Sequence, residues 1–196
     1  KFPLLLGLLK RDNMQRTIIF ANTKREAENL YARLAANDFA CRLISGDVAQ
    51  EKRLRIMRQF KEGSLPILIA TDVASRGLHI EGVSHVINYD LPEDREDYVH
   101  RIGRTARAGA RGKAISFADE VGALNLEDIE EYIGDKIPVQ WAEDDLFVTD
   151  FVQPPRSRKP AQGRGRGDGR GKSEGRGKSE GRGKTESSGR PRRRRR

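Results

Sequence analysis

Thr17-Ile18-Ile19-Phe20-Ala21-Asn22-Thr23 decides the fold. Four β-branched or aromatic residues run together and stop at a small polar turn. A run this short and apolar at every position reads as a strand buried on both faces. Directly after it, residues 24–36 carry Ala27, Leu30, Tyr31 and Leu34 on one helical face. The unit then repeats. Strands are expected at 42–45, 67–70, 85–89 and 113–117. Helices are expected at 50–61 (Leu54, Met57 and Phe60 in line), at 94–107 and at 120–133. Pro3 suits the first turn of a short opening helix that ends near Arg11. Strand and helix alternating in this way imply an α/β fold: an open, mostly parallel sheet with right-handed crossovers and helices on both faces.

Such sheets bind ligands outside the carboxyl ends of their strands. Polar residues gather at those ends. Phe20 leads into Asn22-Thr23, Ser45 into Gly46-Asp47, Ala70 into Thr71-Asp72, and Tyr89 into Asp90. Each Thr or Asp can also be a helix N-cap.

Charge divides the chain. Residues 1–152 hold 21 basic and 25 acidic residues, a net −4, whereas residues 153–196 hold 17 and 4, a net +13. The formal +9 therefore belongs to the tail. From Pro154-Pro155 onward the apolar periodicity stops. Gly169-Arg170-Gly171-Lys172-Ser173-Glu174 recurs at 175–180 and, with Thr185 for Ser, at 181–186, and Arg192–Arg196 close the chain. Glycine and like charge forbid a packed core, so 153–196 reads as a disordered basic tail appended to one domain, 1–152. Gly177-Lys178-Ser179 and Gly183-Lys184-Thr185 look like the end of a phosphate loop. That motif needs its first glycine five residues before the second, where this chain has Lys172 and Lys178.

The single cysteine, Cys41, excludes an intrachain disulfide and a cysteine-based zinc site; it reads as a small buried hydrophobe and fits a reducing, cytoplasmic setting. No run reaches the length of a membrane span, and Leu4-Leu5-Leu6-Gly7-Leu8-Leu9 has no cleavage site of a signal peptide after it. The chain begins with Lys1 and reads as a piece of something longer.

His100-Arg101-Ile102-Gly103-Arg104-Thr105-Ala106-Arg107-Ala108-Gly109 sets three arginines at intervals of three. On a helix these are neighbours and repel. A shared anion would offset the repulsion, and a triphosphate suits the planar donor fork of arginine. A solvated basic helix end is the bland alternative.

Several blocks together resemble the second RecA-like domain of DEAD-box RNA helicases: Ile18-Ile19-Phe20-Ala21-Asn22-Thr23, Gln50-Glu51-Lys52-Arg53, Ala70-Thr71-Asp72-Val73-Ala74-Ser75-Arg76-Gly77-Leu78, and the arginine row. They follow the family's order over roughly residues 1–140. The resemblance implies an ATP-dependent RNA helicase. A preceding RecA-like domain would hold the Walker motifs, the Asp-Glu-Ala-Asp box and most contacts to ATP and Mg2+; this sequence contains neither motif. Arg104 and Arg107 would be catalytic and reach the γ-phosphate, with Arg107 the arginine finger. Asp72 and His79 would join the ATP side. His100 and Arg76 would couple it to RNA, although a histidine here can also simply pack on its helix. RNA contacts carry over to Thr23, Gly46, Gln50, Arg53 and Thr71. Glycine admits a backbone, threonines offer hydroxyls, and Gln50, three residues before Arg53, can orient it towards a phosphate. Such contacts position a strand without reading bases.

Two positions depart from the family pattern. His79 stands where an Asp usually meets the ATP ribose, and Ala106 replaces a common Gly, a change expected to be tolerated within a helix. Gly77-Leu78-His79-Ile80, Gly46-Asp47-Val48-Ala49-Gln50, Ala123-Leu124-Asn125-Leu126 and Glu131-Tyr132-Ile133-Gly134 are similar to RhlB-type bacterial members. That similarity implies RNA degradation beside the endoribonuclease RNase E, in a degradosome. The competing reading is a non-catalytic RNA-binding or scaffold module. Single-stranded or short duplex RNA is the expected partner either way.

The tail reads as an electrostatic RNA tether, or else as a solubilising segment. Deleting residues 154–196 from the intact protein is expected to weaken RNA binding and flatten its salt dependence, by about 0.7 in the log–log slope for each phosphate that the tail neutralises. An unchanged slope in a salt titration would remove the tether.

Overall fold

The computed structural model describes residues 1–12, 14–78, 80, 82–106, 112–120 and 122–155. The chain divides into two units, Lys1–Arg156 and Ser157–Arg196, and the described residues belong to the first. The basic tail, His79 and Arg107 lie outside them.

The elements run α1 (Phe2–Arg11), β1 (Thr17–Phe20), α2 (Lys24–Ala36), β2 (Cys41–Ile44), α3 (Gln50–Lys61), β3 (Ile67–Ala70), α4 (Asp72–Ser75), β4 (His85–Asn88), α5 (Arg95–Ile102), β5 (Lys113–Ser116), α6 (Ala123–Ile133) and a 3₁₀ turn, Asp144–Leu146. Pro3 stands in the first turn of α1. The strands form one sheet in the order β2-β3-β1-β4-β5, and every pair is parallel. Thr17 stands opposite both Ile67 and His85, and Phe20 opposite both Ala70 and Asn88. All five carboxyl ends therefore share one edge.

Side chains of β1 alternate between two cores. Ile19 joins Leu30 and Leu34 of α2 and Leu5 and Leu6 of α1 on one face. Ile18 and Phe20 join Ile56, Met57 and Phe60 of α3 on the other. Both faces of the central strands β1 and β3 are covered, which is why these two read as unbroken apolar runs, whereas the edge strands β2 and β5 carry exposed Arg42 and Lys113. A smaller cluster of Leu91, Tyr98 and Ile129 seats α6 on α5. Cys41 is buried, and burial pushes its thiol up to about 11. Among the described residues no helix is long and apolar enough to cross a membrane.

Three expectations shift. The strands are four residues each, so Ser45, Tyr89 and Phe117 fall just past them. The ladder still runs one bond further, from Tyr89 N to the Phe20 carbonyl (2.9 Å) and from Phe117 N to the Asn88 carbonyl (2.9 Å). Leu54 is 59% exposed, and Ile56 takes its place in the core. Steps of three residues drift round a helix, whereas 53, 56, 57 and 60 hold one face. The last helix starts at Ala123 rather than at 120, and ahead of it Asp119 Oδ1 accepts Gly122 N (2.8 Å) and the Asp119 carbonyl accepts Ala123 N (2.8 Å).

After α6 the chain crosses back over α1 as a strap. Leu146 is buried there, and Val148 N donates to the Pro3 carbonyl at 3.3 Å. The Phe151 ring meets Phe2 edge-on at 5.3 Å, with the Arg33 guanidinium 3.7 Å over Phe2. Asn37 closes the strap by donating to the Val152 carbonyl and accepting from Val152 N, both at 2.9 Å. Gly7 admits it: a Cβ there would sit 1.9 Å from the Leu146 carbonyl oxygen. Gly7→Ala is therefore expected to cost about 1–3 kcal/mol in urea unfolding. An unchanged midpoint would mean that the strap does not lie on α1.

Candidate functional site

The sheet's carboxyl edge is built around Arg101. This residue stands in the last turn of its helix and is only 1% exposed. Its Nε donates to Asp72 Oδ1 (2.7 Å) and its Nη2 to Asp72 Oδ2 (2.6 Å). Nη2 also donates to Asn22 Oδ1 (2.8 Å), and Nη1 to the Asp90 carbonyl (2.7 Å) and Asn88 Oδ1 (3.3 Å). A guanidinium has five N–H groups, and each finds an acceptor. The cation also lies 5.2 Å from the Phe20 ring centroid. Asn22 is fixed in turn: its N donates to Asp90 Oδ2 (3.3 Å) and its Nδ2 to the Leu91 carbonyl (2.8 Å). The loops after β1, β3 and β4 are thereby one hydrogen-bonded unit.

This overturns the arginine row as a helical stripe. α5 stops at Ile102, not at Arg107. Gly103 follows, and the chain leaves the helix to pair with Val83. Thr105 Oγ1 donates to the Val83 carbonyl (2.6 Å), and Val83 N donates to the Arg104 carbonyl (3.3 Å). Arg101 points inward, and Arg104 stands beyond the helix with Nη1 on the Leu78 carbonyl (3.2 Å). Like-charge repulsion along one face is thus not what an anion offsets here. Ala106 is not within a helix either. Its φ is +53°, in the left-handed region that disfavours any residue with a Cβ, so the usual glycine would relieve strain. Gly112 closes against the same point: a Cβ on it would lie 1.7 Å from Thr105 Oγ1.

The sequence-derived site residues fall as follows. Thr23 caps α2, its Oγ1 accepting Glu26 N (3.1 Å). Thr71 stands at the N-cap of α4, and its hydroxyl makes no cap bond. Gly46 is exposed, and a Cβ there would meet nothing within 4 Å. Nothing in the chain's own packing calls for glycine at that position. Gln50 is exposed on the first turn of α3 and does not hold Arg53. Arg53 Nη2 donates instead to the Ser45 carbonyl (3.2 Å). Asp72 is occupied by Arg101, so its carboxylate positions the edge. Arg76 and His100 converge on Asp97. Arg76 Nη2 donates to Asp97 Oδ1 at 2.6 Å, and His100 Nδ1 lies 3.8 Å from the same oxygen. His100 is on the surface rather than packed, and the hydrogen bond to Asp97 raises the Arg76 pKa. His79 and Arg107 are outside the described residues.

Asn22 and Asp90 were placed at the strand ends by sequence, but not as partners of Arg101, and Asn88 was missed altogether. Asn88, a polar residue ending an apolar strand, was the available signal, since a buried amide must be satisfied. Gly103 was the signal for the early helix end.

Residues 1–109 match the helicase conserved C-terminal domain. The chain is 55% identical over 159 residues to the ATP-dependent RNA helicase RhlB of Actinobacillus succinogenes, covering 81% of this chain and 38% of that protein. It is 55% identical over 163 residues to RhlB of Escherichia coli O157:H7, covering 83% and 39%. Among solved structures it is similar to the E. coli DEAD-box protein SrmB bound to regulator of ribonuclease activity A, with TM-score 0.67, 36% identity, and 82% and 90% of the two chains covered. It is also similar to S. cerevisiae Dbp5 bound to RNA and ADP BeF3, with TM-score 0.63, 39% identity, and 68% and 36% covered. The chain thus spans 38–39% of the length of these curated relatives.

Arg101→Met is expected to cost about 3–5 kcal/mol in urea unfolding, because it strands the Asp72 carboxylate. Adding Asp72→Asn is expected to recover part of the loss. Lysine at 101 is not expected to rescue, since a point charge cannot reach five acceptors. Wild-type stability of Arg101→Met would show that the network does not carry the edge.

Proposed function

The chain belongs to the DEAD-box RNA helicases, as the C-terminal domain of an RhlB-like member, and we propose that it is one half of an ATP-driven RNA clamp. The other half is a preceding RecA-like domain that holds ATP and Mg2+ through its own phosphate loop and acidic residues. The relatives are long enough to contain one, since this chain matches 38–39% of them. Bound ATP supplies a phosphoryl group whose transfer to water lets the clamp reopen.

The observation that carries this reading is the Arg101 network. It ties the loop before Thr23, the start of α4 after Thr71 and the helix leading to Arg104 into one body. A strand gripped at the threonines and a phosphate met by the arginines then act on the same rigid edge. Thr23, Gly46, Gln50, Arg53 and Thr71 hold the RNA backbone: Thr71 offers its hydroxyl, and Gly46 opens onto empty space. These are contacts to sugar and phosphate, so binding is independent of sequence. Arg104 and Arg107 stabilise charge on the transferred phosphoryl group. His79 stands in for the ribose-binding carboxylate, Asp72 fixes Arg101, and Arg76 and His100 couple the two ligands through Asp97. Closure bends the held strand and separates short duplexes.

The same reading assigns the intact protein to RNA degradation in the cytoplasm, with RNase E as its partner. The identity to RhlB favours this setting, as does the solved complex of SrmB with a regulator of ribonuclease activity.

In the intact protein, Arg104→Ala and Arg107→Ala are each expected to lower RNA-stimulated ATPase by about 10³-fold or more while RNA affinity is kept. This chain alone is expected to hydrolyse no ATP. Wild-type turnover in Arg107→Ala would end the finger assignment. RNA binding without any ATPase in the intact protein would leave a scaffold.

A further inference from the structure

Lys24 and Asp47 stand on loops that the sheet keeps apart. Lys24 opens α2 one residue past Thr23, beyond the end of β1, and Asp47 follows Gly46, beyond the end of β2. β3 runs between those two strands, and Thr71 follows it. The Lys24 ammonium nevertheless meets the Asp47 carboxylate, so an ion pair spans the end of β3. A second carboxylate, Glu28, lies 3.8 Å from the same ammonium. The pair does little for the fold. Lys24 is 49% exposed and Asp47 72% exposed, and pairs so wet add little to stability. The hydrogen bond to Asp47 raises the Lys24 pKa.

Thr23, Gly46 and Thr71, read above as strand contacts, stand just past the ends of the same three strands. A nucleic-acid backbone laid across them meets this ion pair. We propose that Lys24 is a further phosphate-binding residue of the RNA site and that Asp47 holds it in reserve, so that an arriving strand replaces a carboxylate by a phosphate on the same ammonium. The proposal rests on the reading of these loops as the RNA face. Its consequence is selectivity for polymers. A free anion must displace Asp47 for one contact, whereas a strand already held at neighbouring nucleotides presents its phosphate at high effective concentration.

The test is a double-mutant cycle on the intact protein, with labelled oligouridine as the probe and a non-hydrolysable ATP analogue present, across a salt series. Asp47→Asn is expected to tighten RNA binding about two- to fivefold, the range such a pair can hold back. Lys24→Gln is expected to weaken binding and to lower the salt slope by about 0.7, the share of one phosphate. In the Lys24→Gln background, Asp47→Asn is expected to change nothing. An equal gain in both backgrounds means that Asp47 merely repels the strand, and the exchange is overturned while the RNA face stands. Wild-type protein that binds no RNA overturns both.

Discussion

Arg101 is the constraint on which the working edge depends. A guanidinium 1% exposed has lost its water, and only a full set of acceptors makes that tolerable. The chain supplies five of them from residues 22, 72, 88 and 90, which lie at or just past the ends of three strands. Desolvation offsets most of the Coulomb gain, so the network adds little net stability. Its effect is geometric. Each acceptor must arrive in register for the others to be satisfied, and the loops are fixed relative to one another as a result.

Much of the fold is legible because a doubly covered parallel sheet writes itself as short apolar runs. Strands 17–20 and 67–70 can be read to the residue, and helices 24–36 and 50–61 likewise. Errors gather where tertiary contacts override local pattern. Leu54 fits a three-residue spacing, but the core is met by Ile56. The helix that begins at Arg95 has enough helix formers to continue past Ile102. It stops at a Gly103 C-cap and Thr105 pairs with Val83 on a distant loop, a pairing with no local signature beyond that glycine.

The site shows the same division. Residue types and their clustering at strand ends are readable, and so is the split between threonines and arginines. Which arginine faces inward is not. Three identical side chains at equal spacing carry no mark of burial, and the difference between Arg101 and Arg104 lies in Asp72, Asn88 and Asn22, all outside the helix that carries Arg101. Helix spacing alone pairs Gln50 with Arg53, yet that guanidinium takes the backbone carbonyl of Ser45. The N-cap role of Thr23 and its expected contact with RNA also coexist, since one oxygen has two lone pairs.

The strap makes the order of synthesis matter. Phe2 is covered by Phe151, and the groove beside Gly7 is filled by Leu146. During synthesis the apolar flank of α1 therefore stays uncovered until the residues up to Val152 have been made. Residues 146–152 act as the closing stitch of a hydrophobic layer that α1 began more than 130 positions earlier.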